Sequence, residues 1–215
     1  MTTPFAPTSH QLYPELLAYL HHRASALDEI PAERRADLAR LADYIRQRIA
    51  ASQPVRLTFI CTHNSRRSQL SQVWAHVAAV CYGVKHIETF SGGTEVTAFN
   101  HRAVAALRRC GLQVQADEPN ASNPRYSVSL SDSLPPLVCF SKRYDQAPNP
   151  TAAYAGVMTC SHADEACPVV MGCDLRIPIR YEDPKIGDDT DQEAQLYSAR
   201  SNQIATEMLY LMSLI

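Results

Sequence analysis

Apolar residues recur at helical spacing almost from the start of the chain. Leu12, Leu16, Leu17 and Leu20 predict helix within residues 8–50. A second helical stretch starts near Pro31-Ala32-Glu33, with the proline placed as a first-turn residue. It sets Leu38, Leu41, Ile45 and Ile49 on one face, and Arg34, Arg35, Arg40, Arg46 and Arg48 largely elsewhere. Those arginines read as a solvated face. The two stretches predict a helical hairpin over residues 1–53, added before a main domain at 54–215.

The period then changes. Residues 55–60 (VRLTFI) form a short β-branched and aromatic run, expected as a strand. Helix is expected over 68–80, a short strand near 86–90, and a turn at Ser91-Gly92-Gly93-Thr94. Another helix, 100–110, ends at Gly111, a plausible cap. The stretch 117–149 is rich in Pro, Asn and Ser and reads as loops around two short strands near 126–130 and 137–140. Residues 156–159 are a buried-strand candidate, and 191–213 close the chain as a helix. Alternating strand and helix predicts an α/β fold with a small parallel sheet and right-handed crossovers.

Composition narrows the function. With 215 residues and a formal charge of −2, no global electrostatic argument favours nucleic acid or a membrane surface, so an anion site must come from local geometry. No apolar run approaches the roughly 20 residues of a membrane span. Residues 1–10 lack a basic segment followed by an apolar core, so a cytoplasmic protein is expected. Seven cysteines, an odd number, argue against a disulfide framework. Cys81, Cys110 and Cys139 have apolar neighbours and read as core thiols.

The loop Cys61-Thr62-His63-Asn64-Ser65-Arg66-Arg67-Ser68 carries the main chemical signal. A strand, a short loop and a helix expose helix N-terminal amides to an anion. The amides of Thr62 to Arg67 can curl inward as a nest, and Arg67 can add a bidentate fork for a tetrahedral oxyanion. The same groups favour Cys61 as thiolate, the reactive form. Ser68 could donate to that sulfur, and Asn64 could hold the loop in shape. The pattern Cys-x5-Arg-Ser is that of cysteine-based phosphatases. Oxyanion chemistry at a thiolate also needs a proton for the departing oxygen. Asp183, in Tyr181-Glu182-Asp183-Pro184, is the candidate acid, with an ordinary turn as the other reading.

Cys160 and Cys167, seven apart in a polar loop, admit three readings. They could relay a disulfide from Cys61. They could bind zinc with His162 and either Cys173 or Glu165, although the spacing is not that of common zinc motifs. They could also be unpaired thiols.

The stretches FICTHNSRRSQLSQ, FSGGTE, NHRAVAALRRCGL, MTCSHADEACP and YEDP resemble the low-molecular-weight protein tyrosine phosphatase superfamily, over roughly residues 55–185 as bounded by the strand and helix pattern. The paired cysteines resemble the thioredoxin-coupled arsenate reductases within it. That resemblance implies a flavodoxin-like sheet flanked by helices, with no metal or cofactor. It implies Cys61 as the nucleophile on arsenate, with Arg67 and the amides of Thr62, His63, Asn64, Ser65, Arg66 and Ser68 around the oxyanion, and Asp183 as acid. It further implies that Cys160 attacks the Cys61 adduct and that Cys167 then attacks Cys160, leaving a Cys160–Cys167 disulfide for thioredoxin. The chain departs from the family pattern: His63 stands where glycine is usual, Arg66 where the reductases have cysteine, and Lys185 and Ile186 follow Asp-Pro where many tyrosine phosphatases have tyrosines. The competing expectations are a phosphatase hydrolysing phosphate monoesters through Cys61 without the other two thiols, and a non-catalytic oxyanion or redox sensor.

Overall fold

The computed structural model describes residues 3–5, 12–166 and 169–215. Its centre is a four-stranded, all-parallel sheet: β1 (Val55–Cys61), β2 (Ile87–Gly93), β6 (Tyr154–Met158) and β7 (Cys173–Pro178), in the order β2-β1-β6-β7. The first strand is therefore central, the arrangement of flavodoxin-like sheets. A separate antiparallel sheet holds β3 (Gln113–Ala116), β4 (Tyr126–Ser129) and β5 (Leu137–Cys139) in that order.

Side chains alternate across a strand, so the main sheet has two distinct faces. Val55, Leu57 and Phe59 of β1, with Ala155 and Val157 of β6, join the large core. Ile60, Cys61, Tyr154 and Met158 join a smaller cluster with Cys160, Ala163 and Val170. Both faces are covered, as a parallel sheet requires. The large core is completed by α1 (Pro14–Ala24), α2 (Ala32–Ala50), α3 (Arg67–Cys81), α4 (His101–Arg109) and α6 (Glu193–Ser213). The smaller cluster lies beneath α5 (Ser161–Ala166).

The N-terminal helices belong to the same core as the sheet. Leu16, Leu20, Leu38, Leu41 and Ile45 are fully buried, each contributing roughly 1.5–3 kcal/mol. Tyr19 of α1 stacks on Trp74 of α3, and the Trp74 indole donates to Ser201 of α6 at 2.9 Å. Gly111 caps α4 at φ +89, and a Cβ there would meet the Leu16 nitrogen at 2.3 Å. Glycine at this turn therefore lets α1 approach.

Several expectations need correction. The two N-terminal helices meet through a 3-10 turn at Leu27–Glu29, and the expected helical start at residues 8–11 lies outside those described. The arginines of α2 are more than a solvated face. Arg34 bonds the Arg180 carbonyl, Arg46 the Leu214 carbonyl, and Arg48 both the Pro54 carbonyl and Asp174. Residues 161–166 form a helix rather than a polar loop, because Asp164 is clamped by Arg176 and Arg180. Strands β3 and β7 were not expected from the pattern.

Candidate active site

Strand β1 ends on Cys61 and α3 begins on Arg67. What lies between is a loop whose backbone groups are sorted by direction. Every carbonyl from Cys61 to Arg66 is turned outward to a protein donor. Cys61 O accepts from Thr94 N at 3.2 Å and Thr62 O from Glu95 N at 2.8 Å. His63 O accepts from Ser141 Oγ at 3.0 Å and Thr97 Oγ1 at 3.1 Å. Asn64 O accepts from Gln69 Nε2 at 3.1 Å, Ser65 O from Asn100 N and Arg66 O from Leu70 N, both at 2.9 Å. The N–H groups of His63, Asn64, Ser65 and Arg66 meet no protein acceptor among the described residues. Carbonyls bonded outward and amides left over are the geometry that receives an oxyanion.

The loop is held by Asn64, fully buried at φ +46, a conformation that asparagine tolerates better than most residues. Its Nδ2 donates to Ser68 Oγ at 2.9 Å, and its Oδ1 accepts from Lys142 N at 3.0 Å. Ser68 Oγ lies 3.0 Å from Cys61 Sγ. His63 is not among the positive-φ residues, so the left-handed turn falls on Asn64 and position 63 needs no glycine. The His63 imidazole points outward, 3.4 Å from Glu95. Behind the loop, a Cβ on Gly93 would stand 2.6 Å from Thr62 O and 2.7 Å from Asn64 N.

The two arginines part company. Arg67 Nη2 donates to Asp183 Oδ2 at 2.6 Å and Nη1 to the Tyr181 carbonyl at 3.2 Å. Its buried Nε has no partner among the described residues. Asp183 caps a 3-10 turn, Pro184–Gly187, through a bond from Lys185 N at 3.1 Å. Arg66 turns away, donating to Tyr197 Oη at 2.7 Å and Asp188 Oδ2 at 3.0 Å. Burial opposes the Arg66 charge, but the bond to Tyr197 and the nearby Asp183 and Asp188 raise its pKa. Burial likewise opposes the Asp188 carboxylate, but Tyr197, Arg66 and Arg102 hold its pKa below the ordinary value. The Arg66 charge is thus matched by Asp188, and its guanidinium is directed to α6 and the turn before it.

Cys160 lies just beyond β6, the strand that pairs with β1 in the register Ile60↔Met158. Its thiol is 3.7 Å from Thr62 Oγ1, which is also 3.2 Å from His162 Nδ1. Ala163 N donates to Cys160 Sγ at 3.3 Å. Cys61 and Cys160 are both buried members of the smaller cluster. Cys167 lies outside the described residues. Cys173 Sγ donates to Val170 O at 3.0 Å. Among the described residues, no group of three or more His, Cys, Asp or Glu side chains could hold a metal.

No family model matches the chain. Individual proteins do. An arsenate reductase of Halalkalibacterium halodurans is 27% identical over 139 residues, 63% of this chain and 78% of that protein. One of Brevibacillus brevis is 28% identical over 130 residues, 59% of this chain and 74% of that protein. The chain resembles the arsenate reductases. Solved structures similar to it include low-molecular-weight tyrosine phosphatases. That from Vibrio cholerae O395 matches at TM-score 0.47 and 12% identity, covering 73% of this chain and 94% of its own. That from T. tengcongensis matches at 0.46 and 16%, covering 75% and 99%.

Sequence reasoning did not find Tyr181, Asp188, Tyr197 or Glu207 as parts of the site. Tyr181 adjoins the Asp-Pro pair, which was a signal of place but not of role. The others carry no local signal: Asp188 and Tyr197 reach the loop through Arg66, and Glu207 reaches only the Tyr181 hydroxyl.

Proposed function

We propose that this chain reduces arsenate to arsenite by the thiol chemistry of Cys61, Cys160 and Cys167. The observation that carries the reading is the second thiol. Cys160 stands at the carboxyl end of the strand beside that of Cys61, one hydroxyl away from the oxyanion loop. Phosphomonoester hydrolysis through Cys61 has no step that uses a second thiol.

In this reading the Cys61 thiolate attacks arsenic, held by the loop amides and Arg67. One arsenate oxygen leaves as water with a proton from Asp183, giving a Cys61–arsenate thioester. The Cys160 thiolate then attacks Cys61 Sγ. The S–As bond breaks, arsenic keeps the electron pair and departs as arsenite, and a Cys61–Cys160 disulfide remains. Cys167 attacks Cys160 and frees Cys61. A dithiol partner, thioredoxin by the sequence resemblance, reduces the Cys160–Cys167 disulfide. The sum is two thiols oxidised and one arsenate reduced, with water released. Such a relay suits a reducing compartment, the cytoplasm. Among the described residues no helix is long and apolar enough to cross a membrane.

The test is NADPH consumption with arsenate, thioredoxin and thioredoxin reductase, beside Cys160→Ser. Arsenate-dependent consumption that disappears in the variant, while a single arsenate still reacts at Cys61, is the expected result. Hydrolysis of an aryl phosphate at equal rates by both proteins, without arsenate turnover, would replace this reading with a phosphomonoesterase. Tight anion binding without turnover in either assay would leave an oxyanion sensor.

A further inference from the structure

A polar cluster is buried where α2 meets α6, behind the segment that carries Asp183. Glu207 of α6 is 2% exposed. Its Oε2 accepts from Tyr181 Oη at 2.8 Å, its Oε1 accepts from Gln203 Nε2 at 3.0 Å, and Arg34 Nε of α2 is 3.5 Å away. The Arg34 guanidinium lies 5.2 Å from the Tyr181 ring centroid and also bonds the Arg180 carbonyl. The Tyr181 carbonyl accepts from Arg67, the residue that holds Asp183.

We infer that Arg34 and Glu207 are positioning residues for the oxyanion site, acting through Tyr181 on Arg67 and Asp183. The roles of Arg67 and Asp183 rest on the function proposed above. Stability alone is a poor reason for this cluster, because a buried ion pair can often be replaced by packed apolar residues without loss. What the cluster supplies is a fixed path for residues 180–183. Arg180 is gripped through its carbonyl by Arg34. Tyr181 is gripped at its hydroxyl by Glu207, at its carbonyl by Arg67, and at its N–H by Thr159 O at 3.1 Å. Burial pushes the Glu207 pKa up, opposed first by Arg34; without that arginine the carboxylate would lose its main counter-charge. The N-terminal hairpin is then a working part of the site, because α2 supplies the arginine that fixes the loop bearing the acid.

The test compares full-length Arg34→Ala, Arg34→Lys and Tyr181→Phe with the parent. Amide hydrogen exchange reads the positioning without reference to any reaction. Protection of Cys61 from iodoacetamide by inorganic phosphate reads the anion site, and arsenate turnover reads the whole. For Arg34→Ala the expectation is exchange at least tenfold faster within 179–187, with 55–60 unchanged. Phosphate protection should weaken about tenfold. Turnover should fall tenfold to about a hundredfold, mainly in kcat, as for a displacement of about 1 Å at a reacting group. Arg34→Lys should recover part of each loss, and Tyr181→Phe should show the same pattern in milder form. Where Arg34→Ala does not fold, the other two variants carry the same expectations. Parent-like exchange at 179–187, or faster exchange spread evenly over the chain, overturns the proposal. So does parent-like phosphate protection in every variant. A parent protein that phosphate does not protect would overturn the oxyanion reading alone, with the exchange result still deciding the positioning.

Discussion

Asn64 lets the loop geometry be tested through a sign. In Asn64→Ala three effects add. The Lys142 N–H, bonded to Asn64 Oδ1 at 3.0 Å beside a fully buried side chain, loses its acceptor, at about 1–3 kcal/mol. The bond to Ser68 Oγ at 2.9 Å is worth about 1 kcal/mol. A Cβ-bearing residue other than asparagine or aspartate at φ +46 costs about 1–2 kcal/mol more. Asn64→Gly loses the same bonds but not the last term. It gives back only about 0.4–1 kcal/mol through its more flexible unfolded chain. The glycine variant should therefore be the more stable of the two by about 0.5–1 kcal/mol, the reverse of the usual order. Both should unfold below the parent, at roughly 2–4 °C per kcal/mol for a chain of this size. Urea unfolding followed through the single tryptophan, Trp74, itself 1% exposed, measures all three proteins. An alanine variant as stable as the glycine variant, or more so, would refute the left-handed, side-chain-braced loop.

Two further variants probe the loop from behind and from below. In Gly93→Ala the new methyl would stand 2.5 Å from Glu95 O and 2.6 Å from Thr62 O, so the nest must shift. A loss of about 1–3 kcal/mol in urea and at least tenfold weaker phosphate protection of Cys61 are expected. Lys142 is buried, and burial pushes its ammonium down from 10.5 to about 8. Its folded pKa lies below the unfolded one, so the unfolded chain binds more protons between these values and this group's contribution to stability rises with pH across that window. Lys142→Met should accordingly be more stable than the parent at pH 7, by about 3 kcal/mol at most, with the gap closing by pH 10.5; equal stability at pH 7 would count against it.

How far the sequence could be read depended on whether the signal was local. The strand that ends on Cys61 announces itself by six β-branched or apolar positions in seven, and α4 by the Gly111 that follows it, at φ +89. The loop after β1 stood out for the same reason: the cysteine, asparagine, arginine and serine to which the proposed chemistry assigns roles fall within eight consecutive residues. Strand β7 reads CDLRIP, with charges at two positions and a closing proline. It is a strand because it lies at the edge of a sheet whose other members fix it. Strand β3 has four residues and one β-branched side chain, and α5 has six residues, too few for a period to show. The grip of Arg34 on the Asp183 segment had no local trace at all, since its members lie on α2, the loop after β7 and α6.

The pairing of β1 with β6 also brings together groups that chain statistics would keep apart. Thr62 and Cys160 are 98 residues apart in sequence, whereas Cys160 and Cys167 are separated by seven. In a random coil, ring closure favours the short loop over the long one by roughly fiftyfold. Oxidation before folding would therefore join Cys160 to Cys167 and leave Cys61 without its neighbour. The parallel sheet instead holds Cys160 3.7 Å from Thr62 Oγ1, so the long-range encounter of the proposed relay needs a chain that has already folded.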